Sequence, residues 1–157
     1  MLCPSKQKGF TLIELLITLA VISILVAAVL NSFNDILNEQ KRTQAAAQLK
    51  NDLRSAQNRA LSGIDQEHYS GWGLTFTVGS NTYSLCGRTG ETLNCSAVDL
   101  PIALPQNVTI KAAPNFVVFQ IVTGENPSSA ATIKVGLTND PESKWKTVTV
   151  NAGGNIE

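Results

Sequence analysis

Apolar residues are unevenly spread along the chain. From Phe10 to Leu30 the sequence FTLIELLITLAVISILVAAVL is apolar almost throughout, and Glu14 is its sole charge. These 21 residues would form a helix of about 32 Å, enough to cross a hydrocarbon core of about 30 Å once. Beyond Asn31 the apolar positions thin but stay helical in spacing. Leu49, Leu53, Ala56 and Ala60 follow four-, three- and four-residue steps, which place them on one helix face. No proline or glycine falls between Gln40 and Leu61, alanines are frequent, and Gly63 stands where a C-terminal cap belongs. The pattern predicts one long helix from about Thr11 to Ser62, its second half packed on a domain.

After Gly63 the period changes from near four to two. Trp72, Leu74, Phe76 and Val78 alternate with Gly73, Thr75 and Thr77, the signature of a half-buried strand. Gly79-Ser80-Asn81 reads as a hairpin turn, and Thr82 to Cys86 alternates again. Gly87 to Cys95 reads as a loop. Further strands are predicted at Val108–Ile110, Phe116–Ile121, Thr132–Leu137 and Trp145–Val150, separated by polar, turn-rich segments. A helix followed by six short strands is an α+β pattern. The helix stripe should cover one face of a small antiparallel sheet.

Charge changes the picture little. Lysine plus arginine and aspartate plus glutamate each number 12, which excludes a whole-chain polybasic surface or an acidic tail. Residues 1–9, MLCPSKQKG, carry Lys6 and Lys8 as their only side-chain charges. A basic flank before an apolar run orients the N-terminus to the cytoplasm and sends the remainder outward. A secretory signal has a shorter run followed by a small-residue cleavage site; here Ala27 and Ala28 lie inside the long run.

Glu14 is the informative residue. A carboxylate inside lipid costs several kcal/mol unless it is paired, protonated or snorkelling. The segment KGFTLIELLI, Lys8 to Ile17, resembles the N-terminus of type IV prepilins and type II secretion pseudopilins: a basic residue, Gly9, Phe10, and a glutamate four residues after Phe10. The resemblance implies cleavage after Gly9, N-methylation of the new Phe10 amine, and assembly of the product into a filament. It implies other pilins or pseudopilins, a prepilin peptidase/methyltransferase and an inner-membrane assembly platform as partners. Gly9 suits a narrow peptidase site because it has no side chain. Methylation retains the positive charge of the amine. Glu14 would then pair with the Phe10 ammonium of a neighbouring subunit or of its own chain; the competing reading is a glutamate that merely snorkels. LPQNVTI (Leu104 to Ile110), FVVFQIVTGEN (Phe116 to Asn126) and TVTVNAGGNIE (Thr147 to Glu157) resemble, more loosely, the minor-pilin group of secretion protein H and FimT. That group implies a helix laid against β-sheet.

The expected organisation is a leader at 1–9, a transmembrane and filament-core helix at 10–30, its continuation at 31–62, and a β-rich exported domain at 63–157. The expected location is the bacterial inner membrane, crossed once, and the filament after assembly. Cys3 would leave with the leader. Cys86 and Cys95 enclose eight residues, and an oxidising exterior permits a disulfide between them; two free buried thiols are the alternative. His68 is isolated, with no catalytic or phosphate-loop motif beside it. No enzyme activity, cofactor or metal is expected.

The second functional reading is DNA binding within a DNA-uptake pilus. Arg88, Lys111, Lys134, Lys144 and Lys146 would have to gather on one face to contact phosphates. Glu91, Asp99, Glu125, Asp140, Glu142 and Glu157 offset them. Losing Lys6 and Lys8 with the leader leaves ten basic side chains against 12 acidic ones. Trp72 and Trp145 sit at strand positions that favour packing over base stacking.

Overall fold

The polypeptide starts its helix at Thr11, whose carbonyl accepts the Leu15 N–H at 3.2 Å and whose Oγ1 accepts the Glu14 N–H at 3.3 Å. A threonine in this place satisfies a donor that the first helical turn leaves orphaned. The helix α1 runs Leu12–Leu61, 50 residues without glycine or proline. It ends as the sequence predicts. Gly63, at φ 63°, donates to Ala60 O at 3.1 Å and Ile64 donates to Arg59 O at 3.3 Å. This pair of bonds is a Schellman cap, which needs the left-handed conformation that glycine adopts freely. This computed structural model describes residues 9–90, 92–94, 100–126 and 130–157, with the backbone alone at 28–32, 92–94 and 100.

The chain divides into two units, Met1–Leu37 and Asn38–Glu157. In the first, the described apolar side chains are all exposed: Leu12 77%, Leu16 57%, Ile24 71%. Thr18 and Ser23 turn their hydroxyls back onto the carbonyls of Leu15 and Leu19, the usual way a helix spares such groups an unpaired existence. Among the described residues no helix is long and apolar enough to cross a membrane.

The second unit holds the core. Its strands are β1 (Gly71–Phe76), β2 (Thr82–Thr89), β3 (Thr92–Asn94), β4 (Leu100–Ala103), β5 (Val108–Ala112), β6 (Phe116–Gln120), β7 (Ala131–Leu137) and β8 (Lys146–Val150). They form two sheets, where the sequence suggested one. The first has the order β3-β2-β1-β6, with β4 also pairing β2; the second has β5-β7-β8. All pairings are antiparallel. The β1–β2 hairpin links the sheets: Gly79 donates to Ile110 O at 2.8 Å and Ile110 to Ser80 O at 2.9 Å. The segment 87–95, expected as a loop, is partly strand. β2 continues to Thr89 and pairs back with β3 through Gly87↔Asn94. Polar, glycine-containing residues hid this ladder because backbone bonds, not alternation, hold it. β4 also went unpredicted, since Pro101 argues against a strand; it pairs only with β2, and a proline is tolerated on such an edge.

The predicted stripe is the helix's contribution to the core: Leu49, Leu53, Ala56 and Ala60, joined by Ala45, are at most 1% exposed. Trp72, Leu74, Tyr83, Val117 and Phe119 meet it from the first sheet, and Val108, Ile133, Val135 and Val148 from the second. Gly73 marks the tightest contact between strands. A Cβ there would overlap the Val117 carbonyl oxygen and lie 2.9 Å from Val118 Cα. Gly73→Ala should therefore push β1 from β6 and cost about 3 kcal/mol. A thermal melt of the full chain in detergent should show a fall of several degrees; an unchanged midpoint would refute this packing.

Candidate functional site

Gly9 and Phe10 precede the helix and are not helical. A Cβ at Gly9 would meet nothing within 4 Å, and Phe10 is 83% exposed. The Gly9–Phe10 peptide is thus open to an extended-chain reader. Glu14 lies in the first turn of α1, where the helix dipole favours a carboxylate. Thr11-Leu12-Ile13-Glu14 has the spacing of a capping box, and its first half, the Thr11 hydroxyl on the Glu14 N–H, is formed. The sequence reading missed this cap, although the T-x-x-E signal was legible. It fixes Glu14 three residues from the helix start, on the same end of the chain as Gly9 and Phe10.

A second constellation ties α1 to β7–β8. Arg42 is 5% exposed. Its Nε and Nη2 donate to the two Asp140 oxygens at 2.5 and 2.7 Å, and its Nη1 donates to Glu39 at 3.0 Å. Asp140 also accepts the Leu137 N–H at 2.8 Å. Glu39 reaches Lys146 at 2.5 Å. The Arg42 guanidinium holds the Asp140 carboxyl below its ordinary range, against the desolvation that opposes it. Lys146, then Arg42, do the same for Glu39. Nothing in the sequence pointed to this network, because its partners are 98 residues apart. A third contact, Tyr83 Oη donating to Asp52 at 2.5 Å, is legible only in three dimensions. Burial, then the Asp52 hydrogen bond, raises the Tyr83 hydroxyl's pKa.

The other expected residues fall as follows. Cys86 is 0% exposed and disulfide-bonded; Cys95 lies outside the described residues, as does Cys3. His68 is exposed in the 62–68 turn, beside Asp65, Gln66 and Glu67. Among the described residues no group of histidine, cysteine or carboxylate side chains could hold a metal ion. Arg88, Lys111, Lys134 and Lys146 of the β-rich part each have a partner within the chain. Lys134 pairs with Glu142 at 2.7 Å and Lys146 with Glu39. Lys111 donates to Thr138 O and Arg88 to Gly90 O, both at 2.8 Å. Trp72 is buried, and half-buried Trp145 covers Gly136.

Comparison with known proteins agrees with both ends of this description. Residues 4–30 match the prokaryotic N-terminal methylation motif. The chain is 41% identical over 58 residues to competence protein ComGD of Bacillus subtilis (strain 168), a match that spans 37% of this chain and 41% of that protein. Less than half of either chain is therefore shared. The fold is similar to that of type IV minor pilin FimU of Pseudomonas aeruginosa (strain PAO1), with a TM-score of 0.56 and 16% identity over 73% of this chain and 90% of that one. It is similar also to minor pseudopilin EpsH from the Type 2 Secretion System of Vibrio cholerae, with a TM-score of 0.52 and 13% identity over 74% and 94%. The chain thus carries a prokaryotic N-terminal methylation motif on an α+β fold similar to that of a type IV minor pilin and a minor pseudopilin.

Proposed function

We propose that this chain is a minor pilin or pseudopilin, a non-enzymatic subunit of a type IV pilus or a type II secretion pseudopilus. The observation that carries the reading is the methylation motif placed at the open, non-helical start of a helix whose described apolar side chains, up to Leu37, are exposed. In this reading a prepilin peptidase/methyltransferase cuts after Gly9 and methylates Phe10. The segment 10–30 first crosses the inner membrane, leaving the β-rich domain outside. An inner-membrane platform then draws it among the helices of other subunits. Since lipid has already taken those side chains out of water, close packing against neighbouring helices supplies the attraction, and Glu14 sets the register by pairing with a Phe10 ammonium. Desolvation makes such a pair a weak source of stability, yet a strong penalty for misplacement.

Incorporation of Glu14→Gln and Glu14→Ala tests it. Both should be largely cleaved and should fold like the wild type, because the core is built from residues within Asn38–Glu157. Both should enter the filament at least about tenfold less, equivalent to roughly 1.4 kcal/mol. The measurement is recovery of processed protein with the assembled filament at equal membrane abundance; equal recovery of all three would discard the charge pair. Intact mass from a host with the matching peptidase should show loss of residues 1–9 and one added methyl.

We propose Cys95 as the partner of Cys86, closing the loop between β2 and the segment that follows β3. Peptide mapping without reduction should recover the Cys86–Cys95 cross-link; alkylation of both thiols in exported protein would rule it out. The loop closure is worth about 2–3 kcal/mol.

The similarity to a protein named for competence favours a second reading, a DNA-binding minor pilin in a DNA-uptake pilus. The expected basic face on the strands lends it little, since Arg88, Lys111, Lys134 and Lys146 are engaged within the chain.

A further inference from the structure

The unit Asn38–Glu157 carries its charge unevenly from end to end. At the end where α1 enters, Arg42, Lys134 and Lys146 are matched by Asp140, Glu142 and Glu39. Further lysines stand at this end. Lys41 directly precedes Arg42, Lys111 donates to Thr138 O at 2.8 Å, and Lys144 is close enough to Asp140 to help hold its carboxyl below the ordinary range. Among the described residues Lys41, Lys111 and Lys144 make no ion pair, so this end has cations in excess. At the other end, where α1 stops, the balance reverses. There Asp65, Glu67 and Glu125 outnumber Arg88 and Arg59, whose Cζ lies 5.4 Å from the Trp72 ring centroid.

The basic end also holds an open groove of about 550 Å³, lined by Asn38, Asn107, Leu137, Thr138, Asn139 and Asp140. Its carboxylate is taken, since Asp140 accepts from Arg42 and from the Leu137 N–H. The frame is tied down: the carbonyl of Asn107, a residue at φ 66°, accepts the Thr138 N–H at 3.0 Å and the Thr138 hydroxyl at 3.2 Å. The side chains of Asn38, Asn107 and Asn139 make no hydrogen bond among the described residues. Carboxamides both donate and accept, and a lysine adds charge-assisted bonds to phosphate oxygens. A phosphodiester that carries hydroxyl groups matches both, and the head group of an anionic glycerophospholipid is one.

The chain itself brings such a head group within reach. Eight residues lead from Leu30, the end of the apolar run, to Asn38. As a helix they rise about 12 Å, and at full stretch they reach no more than about 28 Å. With the apolar run across the membrane, the basic end stays beside the bilayer surface. A soluble acidic partner would have to be captured from solution by lysines whose single contacts are each worth little. A tethered surface needs no such capture, because the tether supplies a high effective concentration.

We propose that the basic end of the domain docks on anionic phospholipid, with a head group in the groove beside Lys111, and so holds the unassembled subunit against the membrane. This rests on the reading of 10–30 as a membrane span. The test places the full chain in lipid nanodiscs of phosphatidylcholine alone, or of phosphatidylcholine with phosphatidylglycerol, each with a trace of lipid spin-labelled on its head group. Amide NMR spectra should show broadening in the anionic discs, strongest at Asn107, Thr138 and Asn139 and absent at 65–68. It should be far weaker in neutral discs, and added salt should reduce it in the anionic ones. The triple variant Lys41→Gln/Lys111→Gln/Lys144→Gln, its fold checked by the same spectra, should dock about a hundredfold less, about fivefold for each lysine. Arg88→Gln, at the other end, should dock like the wild type. Equal broadening in the two discs, broadening centred away from the groove, or a triple variant that docks like the wild type would overturn the proposal alone. A chain that inserts into neither disc would overturn the membrane-span reading, and this proposal with it.

Discussion

Arg42→Ala should be among the most destabilising single substitutions in the domain, at about 3–5 kcal/mol. The guanidinium is 5% exposed and bonds both oxygens of Asp140. Removing it leaves Asp140, whose side chain is 9% exposed, charged and short of its partner. Such a loss exceeds that of an ordinary surface ion pair, which is worth about 0–1 kcal/mol. Asp140→Asn should cost less, about 2 kcal/mol, since it can still accept the Leu137 N–H. The pair Arg42→Met/Asp140→Leu should recover part of the loss, because removing both partners leaves no stranded charge. Urea titration of the full chain in detergent would measure the three variants against the wild type; a double variant no more stable than Arg42→Ala would show that the pair is uncoupled. The network also fixes the response to pH. Asp140 and Glu39 have folded pKa values below their ordinary ones. Their contribution is therefore complete above about pH 5 and lost as pH falls through the lowered values. In Arg42→Ala that acid-side loss should shrink.

The largest effect on processing is expected at Gly9. Gly9→Trp should abolish removal of residues 1–9, and with it filament entry, while leaving the β-rich domain folded. The effect is steric: a Cβ at Gly9 would meet nothing within 4 Å in this chain, so any cost of a large side chain arises in the peptidase. Gly9→Ala should be cut partly. Co-expression with the matching peptidase, read by intact mass, separates the two. Full cleavage of Gly9→Trp would mean that recognition lies in the apolar run and not at the scissile residue.

The parts of the fold visible in the sequence are those written in side-chain periodicity. The stripe Leu49–Ala60 reflects one face buried and one wet, and with the Gly63 cap it recurs in the structure; strands also stand at Trp72–Phe76 and Ile133–Leu137, but there Gly73 and Gly136 are buried beside the alternating apolar residues, because β1 and β7 are each paired on both edges. The division into two sheets was not visible, because alternation reports burial and says nothing about which strand pairs with which. β3 and β4 were hidden by a glycine-rich polar stretch and by Pro101. Of the candidate site, Gly9, Phe10 and Glu14 were legible because the recognition is local in sequence. Arg42 with Asp140, Tyr83 with Asp52, and Arg59 over Trp72 were not, since each joins distant segments and neither member of a pair stands out alone.

The shared stripe has a consequence for how the domain comes apart. Neither sheet closes a core by itself; each turns its apolar face to the same few helix residues. A helix segment shed from one sheet is shed from both. The slowest amides of β1 and those of β7 should therefore exchange with deuterium at one common rate, through a single global opening, and not as separate foldons. Unfolding should correspondingly be all-or-none for Asn38–Glu157, and Leu53→Ala, in the middle of the stripe, should accelerate exchange in both sheets by the same factor.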